Sequence, residues 1–358
     1  MIDPEEKMRK VELKAYDPEW IQLFEESSRE IKQILKKNCI AVHHIGSTAI
    51  PNIYAKSIVD VLPVVKDIEL IDSLNSKFEN LGYVCMGEYG IAGRRFYWKS
   101  RNNRTHNIHL FEQGEPEILR HLRFRDFMLE HERYAKAYSV LKCCLAEEFT
   151  YDIENYVNGK SSFVQMIDYQ TETAREIQLK AQDNIVIHPY NPAWPKLAAA
   201  EIKAIKTMTD DLPFVSIEHI GSTAVPELSS KPIIDIFIAI PSIDEAKNWI
   251  APLESLGYLY WKENPDKAHL RFFKGMPPFG ERRTHHVHLV ESSNNTFEHR
   301  ILFRDILRRD KKARLDYEAL KLGLSQSHPT DREDYTDSKF KFIEAVLRKY
   351  GYLKPIAR

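Results

Sequence analysis

Apolar and polar positions alternate between two periods along the chain. After Asp17-Pro18, residues Trp20, Phe24, Ile31, Ile34 and Leu35 form a stripe at helical spacing, with Asp17 as N-cap and Pro18 at the first helical position. Asn191-Pro192 supplies the same start again. A short strand is predicted over 41–45 and ends at the turn Gly46-Ser47-Thr48. Residues 58–65 and 233–240 are β-rich apolar runs, each carrying one aspartate, Asp60 and Asp235. Pro63 inside the first run suits an edge strand or a bulge. A helix is predicted over 68–81, stopped by Gly82, and strands over 95–99 and 105–111 should join the sheet. The stretches 115–145 and 156–167 have helical spacing. The pattern predicts an α/β fold of the α+β type: a mixed β-sheet with packed helices and a helical C-terminal part.

This unit is written twice. His44-Ile-Gly-Ser-Thr-Ala49 returns as His219-Ile-Gly-Ser-Thr-Ala224, 175 residues on, and Lys56 and Asp60 return as Lys231 and Asp235 at the same shift. Arg95-Phe96 pairs with Arg271-Phe272 at 176, while Arg104-Thr-His106 and Phe124-Arg-Asp126 pair with Arg283-Thr-His285 and Phe303-Arg-Asp305 at 179. A period this long excludes a solenoid of stacked repeats. Two tandem domains are expected, over 11–168 and 185–353. The polar connector 169–184 suits a helix as well as a loose linker.

Composition narrows the function. Lys+Arg 51 against Asp+Glu 52 gives a net charge of -1, so no global positive field recruits nucleic acid or an anionic membrane. No run reaches the roughly 20 apolar residues that span a bilayer, and the start MIDPEEKMRK has no signal-peptide pattern, so a cytoplasmic location is expected. Cys39, Cys85, Cys143 and Cys144 show no CxxC spacing and are expected to be free thiols.

The chemistry gathers around the turn. A Gly-Ser turn lets backbone N–H groups approach an anion, and the serine hydroxyl adds a donor. An aspartate in an apolar strand needs a cation, a metal or a set of donors. Lys56 and Lys231, four residues before it, could neutralise it or hold a phosphate. Arg95, Arg271, Arg125, Arg304, Lys142 and Lys321 are further candidates for a cationic wall. For the FRD arginines, Arg125 and Arg304, ion pairing at a helix–sheet interface is an equal alternative. On Thr284-His-His-Val-His288, period two puts His286 and His288 on one face; the first copy has Asn107 and His109 there.

Taken together, His44-Ile-Gly-Ser-Thr-Ala-Ile-Pro51 with Lys56 and Asp60, and His219-Ile-Gly-Ser-Thr-Ala-Val-Pro226 with Lys231 and Asp235, resemble the GrpB (UPF0157) family, as two tandem domains covering nearly the whole chain. The resemblance implies a nucleotidyltransferase-like fold. The wider nucleotidyltransferase pattern holds Mg²⁺ with two carboxylates at i and i+2 of one strand, but those second positions are Leu62 and Phe237 here. One aspartate with two histidines suits either a softer metal such as Zn²⁺ or Mn²⁺, or no metal and a histidine base beside a bound phosphate.

The expected function is binding of a nucleotide or another phosphorylated small molecule, with nucleotidyl or phosphoryl transfer as the associated chemistry and the second domain as the more competent site. A non-catalytic sensor or regulatory module, or a scaffold of two packed domains, is the alternative. The expected catalytic residues are Asp60, His109, Asp235 and His288. Ligand contacts are expected from His44, Gly46, Ser47, Thr48, Lys56 and Arg95, and from His219, Gly221, Ser222, Thr223, Lys231 and Arg271. A divalent metal, Mg²⁺, Mn²⁺ or Zn²⁺, would sit on Asp235, His286 and His288. Neither a membrane nor a long nucleic-acid groove is expected.

Overall fold

A computed structural model describes residues 10–100, 104–171, 185–327 and 332–356. By contacts the chain forms two compact units. The main body of the first ends at Ala146, and Thr150–Tyr156 returns to it; Glu147–Phe149 and Val157–Gln170 group with the second.

In the first unit, helix α1 (Glu19–Leu35) is started by Asp17, whose Oδ1 accepts the Glu19 N–H at 3.0 Å. It buries Trp20, Ile31 and Leu35 in a cluster with Val59, Val61, Val65 and Ile108. Strands β1 (Cys39–Ile45), β2 (Val59–Val65), β3 (Tyr83–Cys85), β4 (Arg95–Lys99) and β5 (His106–Glu112) lie in the order β1-β2-β5-β4-β3. β2 and β5 run parallel and the other pairs antiparallel, so the sheet is mixed. β2 therefore has a neighbour on both sides, and Pro63 is not on an edge. It is accommodated because the β2–β5 pairing lapses at Leu62 and Pro63, where a missing N–H costs no ladder bond. The expected helix over 68–81 is two short ones, α2 (Glu69–Asp72) and α3 (Asn75–Glu79). Between them Ser73 Oγ donates to the Leu70 carbonyl at 2.7 Å, a local bond that competes with continued helix. Helices α4 (Pro116–Glu130) and α5 (Glu132–Glu148) follow, and then α6 (Ile153–Thr171), most of which groups with the second unit.

The second unit repeats the plan. Helix α7 (Ala193–Met208) starts at Asn191, whose Oδ1 accepts the Ala193 N–H at 2.9 Å. Strands β6 (Ser216–Ile220), β7 (Ile234–Ile240), β8 (Leu259–Tyr260), β9 (His269–Lys274) and β10 (His285–Glu291) lie in the order β6-β7-β10-β9-β8, with β7 and β10 parallel. Helix α8 (Ile250–Ser255) precedes β8, and α9 (Asn295–Arg309), α10 (Lys311–Ser327) and α11 (Arg332–Lys349) close the unit.

Register corrects one pairing of the repeat. Arg95 lies opposite Leu110, whereas Arg271 lies opposite His288, and the residue opposite His109 is Phe96. Arg95 and Arg271 therefore point to opposite faces of their sheets, because a one-residue slip changes face. None of the four cysteines forms a disulfide. Most of the connector, 172–184, lies outside the described residues. No helix among the described residues is long and apolar enough to cross a membrane.

Candidate functional site

Both turns bring their glycine onto the strand aspartate. Gly46 and Gly221 have φ of 72° and 73°, and a Cβ at either would overlap the carboxylate of Asp60 or Asp235. Only glycine allows both the left-handed backbone and the close approach. The following threonine ties the turn down: His219 Nε2 lies 3.0 Å from Thr223 Oγ1, which donates to the Ile233 carbonyl at 3.0 Å. His44, Thr48 and Ile58 repeat this at 3.0 and 3.3 Å. Burial pushes His44 and His219 down to about 4, which keeps both rings neutral at pH 7 where they meet the turn threonine.

The FRD arginines brace the strand ends. Arg304 donates to the His219 carbonyl and to Glu218 Oε2, both at 2.9 Å, and pairs with Asp305 at 2.8 Å. Arg125 donates to the His44 carbonyl at 3.0 Å and pairs with Asp126.

In the second unit the parallel pairing sets Asp235 beside His286, with Nδ1 3.0 Å from Asp235 Oδ1. His288, two residues on, shares that face, and one ligand atom from each of the three lies within 4.8 Å of the others. His286 Nε2 is buried without a hydrogen-bond partner. His288 stacks on Phe237 with centroids 4.8 Å apart, and its Nδ1 lies 2.8 Å from His269 Nε2. An open imidazole nitrogen, a carboxylate and a second anchored imidazole fit a borderline-soft divalent ion.

A cavity of about 350 Å³ opens in front of this group. It is lined by Gly221, Ser222, Asp235, His286 and His288, and by the basic side chains Lys231, Arg283, Arg300, Arg304, Lys321 and Lys339. Arg300 and Tyr317 carry no motif in the sequence; they come from α9 and α10 and join the turn only through helix packing. Arg300 Nε is buried and lacks a hydrogen-bond partner. Tyr317 shares a hydrogen bond with Ser222, and burial raises its hydroxyl to about 12. Lys321 is 2% exposed and donates to the Ser229 carbonyl. Desolvation, with Lys339 nearby, lowers its ammonium to about 7. Arg271 lies on the same sheet face as His288, 5.8 Å over the Trp261 ring.

The first unit fills the same place differently. Asp60 Oδ1 accepts from Asn107 Nδ2 at 2.8 Å and lies 3.5 Å from His109 Nε2. Burial alone would raise the Asp60 carboxyl, but His109, Asn107 and His121 together hold it below its usual value. Lys142 donates to Ser47 Oγ at 2.8 Å and to the Tyr54 carbonyl. Lys56 lies 4.8 Å over the Tyr156 ring. Arg95 is turned away from Asp60 and grips both Asp72 oxygens at 2.8 Å.

Known proteins resemble parts of the chain. The Bacillus subtilis UPF0157 protein YqkA is 39% identical over 180 residues, which are 50% of this chain and 52% of YqkA. The match thus spans about half the length of that relative. The crystal structure of the conserved protein GrpB from Enterococcus faecalis is 42% identical, covers 45% of this chain and 96% of its own, and has a TM-score of 0.44. The fold also resembles that of the RNA terminal uridylyl transferase Cid1, at 9% identity and a TM-score of 0.34, covering 96% of this chain and 92% of Cid1. The family model described as GrpB protein matches residues 10–170 and again 184–349, each time taking in one Gly-Ser-Thr turn and one strand aspartate, and the chain therefore belongs to the GrpB family.

Proposed function

We propose that the second unit binds a nucleotide or another phosphorylated small molecule in the cavity beside Gly221-Ser222-Thr223, and is the more competent of the two sites for nucleotidyl or phosphoryl transfer. The main support is that one cavity joins the Asp235, His286 and His288 group to six basic side chains. Such a lining matches a multiply charged anion of a few hundred Å³ better than an extended polymer. Asp235, His286 and His288 would hold a divalent metal, which when bound supplies charge stabilisation at a phosphoryl oxygen. Arg300 and Lys231 neutralise the remaining phosphate charge, and Ser222, held by Tyr317, donates to a phosphate oxygen. Lys321 takes up a proton when an anion enters, because a nearby negative charge favours its ammonium form.

A regulatory role suits the first unit, since Lys142 already occupies Ser47 and Asn107 stands where the second unit has His286.

A thermal-shift screen of nucleotides and metabolite phosphates with Mg²⁺, Mn²⁺ and Zn²⁺ tests this. Stabilisation by a phosphorylated ligand is expected, and Asp235→Asn should diminish it more than Asp60→Asn. Equal loss from the two substitutions removes the asymmetry. Failure of every ligand to shift melting overturns the binding proposal and leaves the scaffold.

A further inference from the structure

We infer that the residue lying against Nδ1 of the strand histidine, His269 in the second unit and Arg94 in the first, decides which unit takes a divalent transition metal. The inference rests on the metal group proposed above but not on any nucleotide, so Zn²⁺ alone tests it.

A neutral imidazole carries one N–H and one lone pair, and a metal needs the lone pair. The partner of the other nitrogen fixes which is which. In the second unit, His288 Nδ1 meets His269 Nε2 at 2.8 Å. Imidazole can accept as well as donate. His269 Nδ1 lies 3.9 Å from Asp266 Oδ2, where a proton is favoured by the carboxylate. With the His269 proton there, its Nε2 accepts from His288 Nδ1–H. His288 Nε2 is then a bare lone pair on the face shared with Asp235 and His286.

In the first unit, Arg94 Nη1 lies 3.3 Å from His109 Nδ1. Guanidinium has donors only, so Nδ1 must accept and the ring N–H of His109 sits on Nε2. That N–H faces Asp60 Oδ1 at 3.5 Å and offers no lone pair to a metal. Arg94 cannot easily move away. Its Nε donates to the Glu88 carbonyl at 3.1 Å and Nη2 to the Tyr89 carbonyl at 2.6 Å. Its guanidinium lies 4.7 Å from the Phe96 ring centre, and the residue is 5% exposed. Asp60 is thus supplied with N–H donors from Asn107 and His109. The same topology yields a metal-accepting group in one unit and an internally satisfied, metal-excluding one in the other.

The intact chain should bind one equivalent of Zn²⁺ in equilibrium dialysis, and Asp235→Asn should leave none. His269→Gln, whose amide oxygen can accept from His288 Nδ1–H, should stay within a few-fold of the parent affinity. His269→Arg, which copies the first unit, should weaken Zn²⁺ by about 10–100-fold, the usual effect of an outer partner. The combined variant Arg94→His with Asn107→His should raise the stoichiometry to two. Two equivalents or none in the parent chain, equal losses from His269→Gln and His269→Arg, or parent affinity in His269→Arg would each overturn the inference. Should His269→Arg fail to fold, the combined first-unit variant decides, and a stoichiometry still at one overturns it. Because no nucleotide is present, loss of nucleotide binding in the earlier screen leaves these outcomes untouched.

Discussion

At the residue scale, Gly221 and Lys321 shape the second site. Gly221→Ala places a Cβ on the Asp235 carboxylate and strains a backbone at φ 73°. The left-handed conformation alone costs about 1–2 kcal/mol with a side chain, so urea unfolding should show at least that loss, and Zn²⁺ affinity should fall with it. Lys321 titrates near 7 when folded and near 10.5 when unfolded. Between these values the unfolded chain holds the extra proton, so stability should rise with pH across that window. Lys321→Met should flatten the rise and stabilise the protein at neutral pH, as read from urea unfolding at a series of pH values. Several site residues are legible in the sequence alone. The lone aspartates in apolar strands and the turn glycines stand out by composition, and His286 and His288 share a face by strand period alone. Arg94 and His269 were not legible, because only cross-strand register places them against a histidine ring, and the same register turned Arg95 to the opposite face.

At the element scale, one buried ion pair fastens helix α7 to strand β9. Lys274 Nζ lies 2.6 Å from Glu201 Oε1, with side chains 1% and 2% exposed. Removing one partner leaves the other charge buried, so Glu201→Gln should destabilise the protein by about 3–5 kcal/mol in chemical denaturation. Replacing both with apolar residues of similar volume should restore much of that stability. The helix starts at Asp17 and Asn191 and the strands bearing Asp60 and Asp235 were readable, because capping chemistry and apolar runs act within a few residues. The broken helix at Ser73 and the internal position of Pro63 were not. Each depends on a competing local bond or on a neighbour far along the chain.

At the scale of the whole molecule, duplication and assembly follow different lines. The repeat assigns α6 to the first copy, yet Val157–Gln170 groups with the second unit. Phe163, fully buried, and Met166 lie beside Gly257 of that unit. Phe163→Ala should therefore cost about 3–5 kcal/mol and weaken hydrogen-exchange protection in β7 and β10 more than in β2 and β5. The sequence by itself determined the two tandem units, the α/β order within each, and the Gly-Ser-Thr turn with its strand aspartate, because repeats, periodicity and turn chemistry are local and linear. Only the tertiary structure decided how the units differ: which helices bring Arg300, Tyr317 and Lys321 to the turn, and whether a histidine or an arginine backs the strand imidazole. Those contacts join residues distant along the chain, where strand register and helix packing, rather than local pattern, set which atoms meet.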